Sequence, residues 1–111
     1  MLREKTCQYI ECFNHKDLSG VAALLDENFA LEDPAVKRIE GKMKCLEAIK
    51  NIFNSCENLK FYAKNIYLQD STTLIEFVLM LDEMKLEGVD IIEWKEGKIQ
   101  ELRAYLDMPK E

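Results

Sequence analysis

Leu86-Glu87-Gly88-Val89-Asp90-Ile91-Ile92-Glu93-Trp94-Lys95 is the stretch whose reading decides the fold. In a strand, alternate side chains point to opposite faces. One face then carries Leu86, Asp90, Ile92 and Trp94, and the other carries Glu87, Val89, Ile91, Glu93 and Lys95. The charges gather on the second face, so the first is the interior and Asp90 goes inside with the tryptophan. A buried carboxylate is either paired or keeps its proton. Asp90 is therefore both a marker of the sheet's inner face and a candidate functional group.

The same period of two runs through residues 61–69, 72–81 and 98–107, which predicts four strands with that of 85–95. Their links are short: Asp70-Ser71, Asp82-Glu83-Met84 and Glu96-Gly97. Links of that length join antiparallel neighbours. Upstream the period is 3.6. Residues 2–15 read as a helix with Leu2, Thr6, Tyr9, Ile10 and Phe13 on one stripe. Asp17 is placed to cap a second helix over 18–25. Phe29 to Asp33 is a short strand stopped by Pro34, which cannot donate to a ladder. After Gly41 a third helix spans about 42–55, with Met43, Leu46, Ile49, Ile52, Phe53 and Cys56 at core spacing. Helices first and a meander afterwards give an α+β fold, with the helices on one face of a curved antiparallel sheet. Met108 to Glu111 reads as a frayed tail.

The 111 residues make one domain with one modest core. A formal charge of −6 argues against nucleic acid or an anionic membrane as partner. Lys37-Arg38 is the one adjacent basic pair, too little for such a footprint. Met1 to Lys5 has no apolar signal core, and no stretch approaches a membrane span, so the expected location is the cytosol. Cys7, Cys12, Cys45 and Cys56 have no C-x-x-C pairing, and His15 is not at metal-ligand spacing from them. They read as small apolar side chains, with no metal and no cofactor expected.

Three polar residues lie on the apolar side of their element: Tyr9, Asp33 and Asp90. Each has a plain structural reading. Tyr9 is then a core aromatic with its hydroxyl at the rim, Asp33 a turn starter before Pro34, and Asp90 the partner of Arg103 or a lysine.

Tyr9 to Gly20, running on to Phe29-Ala30-Leu31-Glu32-Asp33-Pro34 and Gly41, resembles the N-terminal half of the ketosteroid isomerases. That family sits within the SnoaL-like, nuclear-transport-factor-2-like superfamily. Val89 to Trp94, with Gly97-Lys98-Ile99 and Leu102-Arg103-Ala104, resembles its last two strands. Residues 55–80 match only in pattern. The resemblance implies a cone, a strongly bent sheet wrapped around the helices and enclosing an apolar pocket. It implies Asp33 as general base, with Tyr9 and a protonated Asp90 holding the oxyanion. Phe13, Phe53, Ile92 and Trp94 are expected to line that pocket. The ligand expected is a small apolar molecule, and the family's usual state implies a homodimer through the sheet.

The chemistry needs those residue types, since proton removal beside a ketone takes a base near its own pKa and donors where the enolate oxygen forms. The sequence also departs from the isomerases. Phe53 stands as the aromatic of the third helix, no further tyrosines extend the hydrogen-bond network, and Lys37 and Arg38 sit at what would be an apolar entrance, where they could lower the pKa of Asp33 or pair with it. The chain also ends soon after the last strand, which on this reading trims one pocket wall. Three readings follow. The chain is a cofactor-free enzyme moving a proton alpha to a carbonyl, a dimeric module binding a hydrophobic ligand unchanged, or a structural protein. In the last case Phe61, Tyr67, Phe77, Met80 and Trp94 fill the cavity and the outer sheet face serves association. In all three, that face, which carries Ile75, Phe77 or their neighbours with few charges, suggests a homodimer.

Overall fold

In the computed structural model, residues 1–34 and 37–107 are described. They form α1 (Leu2–Asn14), α2 (Leu18–Leu24), β1 (Leu25–Asp33), β2 (Lys37–Glu40), α3 (Lys42–Asn54), β3 (Leu59–Gln69), β4 (Thr72–Leu81), β5 (Met84–Lys95) and β6 (Lys98–Asp107). The strands make one sheet in the order β2-β1-β6-β5-β4-β3. The tail expected at Met108 to Glu111 lies outside the described residues.

The meander β3 to β6 is antiparallel throughout, as its short links require. The alternation that predicts β5 is realised: Leu86, Asp90, Ile92 and Trp94 are all at most 5% exposed. Helix α1 packs on β3 and β4, while α3 covers β1 and β2. The Asp17 carboxylate accepts from the Gly20 N–H at 2.9 Å and caps α2, as its place in the sequence predicts.

Three expectations are corrected. First, the sheet is mixed, because β1 runs parallel to β6, Leu31 opposite Leu102. Local turn reading sees only sequential neighbours, whereas this pair is joined by the long excursion through α3 and the meander. Second, β1 is nine residues long and begins at Leu25, whose extended backbone ends α2 one residue early. Third, β2 is a strand that the sequence pattern does not announce, since Lys37-Arg38-Ile39-Glu40 has no apolar alternation. It pairs with β1 through Leu31 opposite Ile39 and Asp33 opposite Lys37. A charged edge strand of this kind also discourages further strand addition.

Ile75 and Phe77 do not face outward. They are 0% and 3% exposed, on the helix side of the sheet. The register of β4 puts them opposite Asp90 and Gly88, so the inner face of β5 fixes theirs. The outer face instead carries Leu74, opposite Ile91, with Tyr62, Tyr67 and Tyr105 exposed.

A chain of hydroxyls seats α1 on the sheet. The Trp94 indole donates to Thr73 Oγ1 at 3.0 Å, Thr73 Oγ1 lies 3.1 Å from Thr6 Oγ1, and Thr6 Oγ1 lies 2.7 Å from the Leu2 carbonyl. Each hydroxyl has one hydrogen, so every bond is satisfied when the donations run Trp94 to Thr73 to Thr6 to Leu2. All three side chains are buried.

Gly88 lies in the middle of β5, opposite Phe77 on one side and Leu106 on the other. A Cβ there would meet the Tyr105 carbonyl oxygen at 2.2 Å and Leu106 Cα at 2.6 Å. Both are backbone atoms of β6 and have no rotamer to move into. Gly88→Ala is expected to cost about 1–3 kcal/mol by overpacking, read as a lower midpoint in urea unfolding.

Candidate active site

The inner face of the sheet and the two longer helices leave a cavity of about 70 Å³. Tyr9 from α1, Asp33 from the end of β1 and Asp90 from the middle of β5 all line it. Phe13, Phe29, Phe61, Phe77, Leu31 and Leu102 are among its apolar walls. The three polar residues singled out in the sequence therefore meet in one space, although they are separated by 24 and 57 residues along the chain.

Each is positioned by a different device. Tyr9 follows Thr6 by one helical turn on the same face, so the Thr6–Thr73 contact sets its place over the sheet. Its ring packs edge-on against Phe61, centroids 6.2 Å apart, and at 5.9 Å from Phe13. Asp33 shares the inward parity of Phe29 and Leu31 and is half-buried at the cavity rim. Asp90 sits between Ile75 on β4 and Ala104 on β6 and is 4% exposed.

The electrostatics separate the two carboxyls. Burial first, and the charge of Asp33 second, push the Asp90 carboxyl up to about 8. Burial, and then the charge of Asp90 when ionised, raise the Tyr9 phenol well above its ordinary value. Both groups are thus neutral at pH 7 and both hold a hydrogen to donate. Both side chains are buried and line the cavity.

The salt bridge between Asp90 and Arg103 does not exist. Arg103 stands opposite Ile91, on the outer face, and binds Glu101 at 2.7 Å and Glu93 at 2.9 Å. Arg38 is also outside, at 3.1 Å from each of Glu32, Glu40 and Glu101. Hydrogen bonds from these two arginines hold Glu101 below the ordinary carboxylate range. One residue of strand separates the faces, so Arg103 on the outer face does not reach Asp90 on the inner one.

The wall of the cavity differs from the one expected. Phe13 lines it, whereas Phe53, Ile92 and Trp94 are buried behind it. Phe53 packs edge-to-face against Phe13, centroids 5.0 Å apart, and the Trp94 indole donates to Thr73. Phe61 and Phe77 take their place. Of the side chains proposed to fill the space, Tyr67 is 55% exposed on the opposite face. The role of Thr6 and Thr73 was missed, because a hydroxyl at a core position looks like any small side chain until its partner is known.

Among the described residues no group of His, Cys, Asp or Glu could hold a metal ion. The four cysteines are free. No described helix is long and apolar enough to cross a membrane.

The family model of the SnoaL-like domain matches residues 7–102. Solved structures repeat the architecture. An NTF2-like protein of unknown function from Cytophaga hutchinsonii has a TM-score of 0.84 at 15% identity, covering 96% of this chain and 90% of its own. A candidate ketosteroid isomerase from Kribbella flavida has a TM-score of 0.82 at 20% identity, with 96% and 77% covered. An LEH-like epoxide hydrolase of M. tuberculosis has a TM-score of 0.76 at 17% identity, with 92% and 79% covered. Identities this low show the shared fold alone. No functionally curated protein matches the sequence.

A carboxyl whose pKa rises on folding makes the native state bind the extra proton. The unfolded chain releases it near 3.8 and the native chain near 8, so stability falls as pH rises between those values. The slope is about 1.4 kcal/mol per pH unit. Asp90→Asn is expected to abolish this slope and to be more stable than the wild type at pH 7, measured by denaturant unfolding across the pH range.

Proposed function

The chain belongs to the SnoaL-like domain family, and on that premise we propose that it is a cofactor-free enzyme moving a proton alpha to the carbonyl of a small apolar substrate. The observation that carries this reading is the meeting of a half-buried carboxylate, Asp33, with two buried neutral donors, Tyr9 and Asp90, in one apolar cavity.

The division of labour follows from the surroundings. Asp33 at the rim remains in contact with water and serves as the base. Its carboxylate takes the proton from the carbon next to the carbonyl, and the C–H electron pair moves to make the enolate. The enolate oxygen accepts hydrogen bonds from the Tyr9 hydroxyl and the Asp90 carboxylic acid, which lose water's competition through burial. Asp33 then returns the proton to a different carbon. No net oxidation occurs and nothing else is consumed. One such donor contributes on the order of 3 kcal/mol to the transition state.

Size limits the substrate. At about 70 Å³ the cavity is far below the roughly 300–1,000 Å³ of sites for drug-sized ligands. The reacting fragment is therefore a short ketone and not a fused-ring body. The apolar lining also supports a second reading, a module that holds a small hydrophobic molecule unchanged, and the same experiment separates the two.

A six-carbon β,γ-unsaturated ketone is expected to be converted to its conjugated isomer, followed by ultraviolet absorbance. Asp33→Asn should lower kcat by about 10²–10⁴-fold with circular dichroism unchanged. A variant as active as the wild type would end the enzyme reading, and binding without conversion by the wild type would favour the module.

The outer sheet face supports a homodimer of this chain. Tyr67 is exposed there beside half-buried Leu74 and Ile91, a run of apolar surface on an otherwise charged molecule. Sedimentation is expected to give a dimer for the wild type and a monomer for Tyr67→Glu. A monomeric wild type at micromolar concentration would refute it.

A further inference from the structure

The cavity does not end at Asp33. A surface trough of about 440 Å³ adjoins it, and Asp33 and Ala104 form part of both. The trough's other walls are Glu32, Pro34, Lys37, Arg38 and Tyr105. A ligand whose reacting carbon lies beside Asp33, and which is larger than the cavity, must extend along this trough.

The charges there are unequal in what they have left to offer. Arg38 is occupied by three glutamates, one of them Glu32 of the same trough. Lys37 is different. Its Cα stands opposite that of Asp33 in the β1–β2 pair. Directly paired residues project to the same side, so Lys37 shares the cavity-facing side of the ladder with Asp33. Among the described residues it forms no ion pair or hydrogen bond. Its backbone is also unusual, with φ at 63°. Lys16, Asp70, Asp82 and Glu96 share that left-handed conformation, and Lys37 adopts it as the first residue of β2, where the link from β1 ends.

We infer that Lys37 is a specificity-determining residue that binds a carboxylate on the substrate, so that the site takes a small oxo acid, its ketone in the cavity and its acid group in the trough. This rests on the reading of the cavity as a carbonyl proton-transfer site. The lysine also offsets the repulsion that Asp33 would exert on an incoming anion. In a chain of net charge −6, an acidic substrate needs such a local cation to approach at all.

The probes are 4-oxopentanoate and its methyl ester, which differ in the charge of one end. In D2O, Asp33 removes a proton from the carbon beside the ketone, exchanges it with solvent and returns a deuteron, and proton magnetic resonance follows the loss of signal. The acid is expected to exchange with a kcat/KM about tenfold above that of the ester, mainly through KM. Lys37→Gln should remove this preference, bringing kcat/KM for the acid down to that for the ester, and Lys37→Arg should keep it. Calorimetric binding of the two probes supplies an arm that needs no turnover, with the acid again about tenfold tighter.

If neither probe exchanges but the acid still binds more tightly in a Lys37-dependent way, the proton-transfer reading fails and the assignment of Lys37 stands. Equal binding of acid and ester to the wild type, no binding of either, or a preference that survives in Lys37→Gln would overturn the assignment. So would an equal loss on both probes in Lys37→Gln, which would mark the lysine as no more than a partner of Asp33.

Discussion

A hydrogen-bonded chain from the Trp94 indole through Thr73 to Thr6 seats the first half of α1 on the sheet, and the Phe61 N–H donating to Asn14 Oδ1 at 2.8 Å ties its end to β3. The Trp94–Thr73–Thr6 chain is the point where β5, β4 and the first helix are fixed to one another by direction as well as by apolar contact. Hydrophobic burial alone would let a helix rotate or slide by a fraction of a turn at little cost, since it is not directional. Buried hydroxyls do not allow that, because an unmade bond in the interior costs on the order of 1–3 kcal/mol. With Thr6 held, Tyr9 one turn later stands over the cavity, and Phe13 one further turn on closes its wall.

The second organising feature is the separation of charge between the two faces of the sheet. Outside, Arg38 and Arg103 share Glu32, Glu40, Glu93 and Glu101 in one ladder across β2, β1, β6 and β5. Inside, Asp90 and Asp33 face a space walled by phenylalanines and leucines. The outer ladder satisfies the arginines so completely that none turns inward. An inner acid without a cation keeps its proton, and for Asp90 this makes a hydrogen-bond donor of a group that is an acceptor almost everywhere else. The same proton is why the fold should be less stable as pH rises toward 8. The site and the stability of the chain are thus set by one equilibrium and pull against each other.

Much of this was legible in the sequence. The parity of β5 placed Asp90 inside, and the parity of β1 and the stripe of α1 did the same for Asp33 and Tyr9. The Asp17 cap and the antiparallel meander followed from local chemistry. Other features were not legible. β2 has no apolar alternation, so only its pairing with β1 reveals it. Trp94 was expected at the cavity because it is large and apolar, yet its N–H needed an acceptor and found Thr73 behind the wall. Whether Ile75 and Phe77 or their neighbours face outward is not legible either, because β4 is apolar on both faces and an alternation argument then has nothing to grip. Their register opposite Asp90 and Gly88 decides it.

The sequence by itself determined the elements and which side of each strand and helix avoids water, because those depend on periods of two and 3.6 that are written in consecutive residues. It also determined that three polar groups would be carried inward. Only the tertiary structure decided that they meet, that Asp90 has no cation, and that the cavity is about 70 Å³. Those outcomes depend on the parallel pairing of β1 with β6 and on the register of β4, β5 and β6, contacts between segments far apart in the chain. Distance in space between such segments is set by how the whole core closes, and no local pattern encodes it.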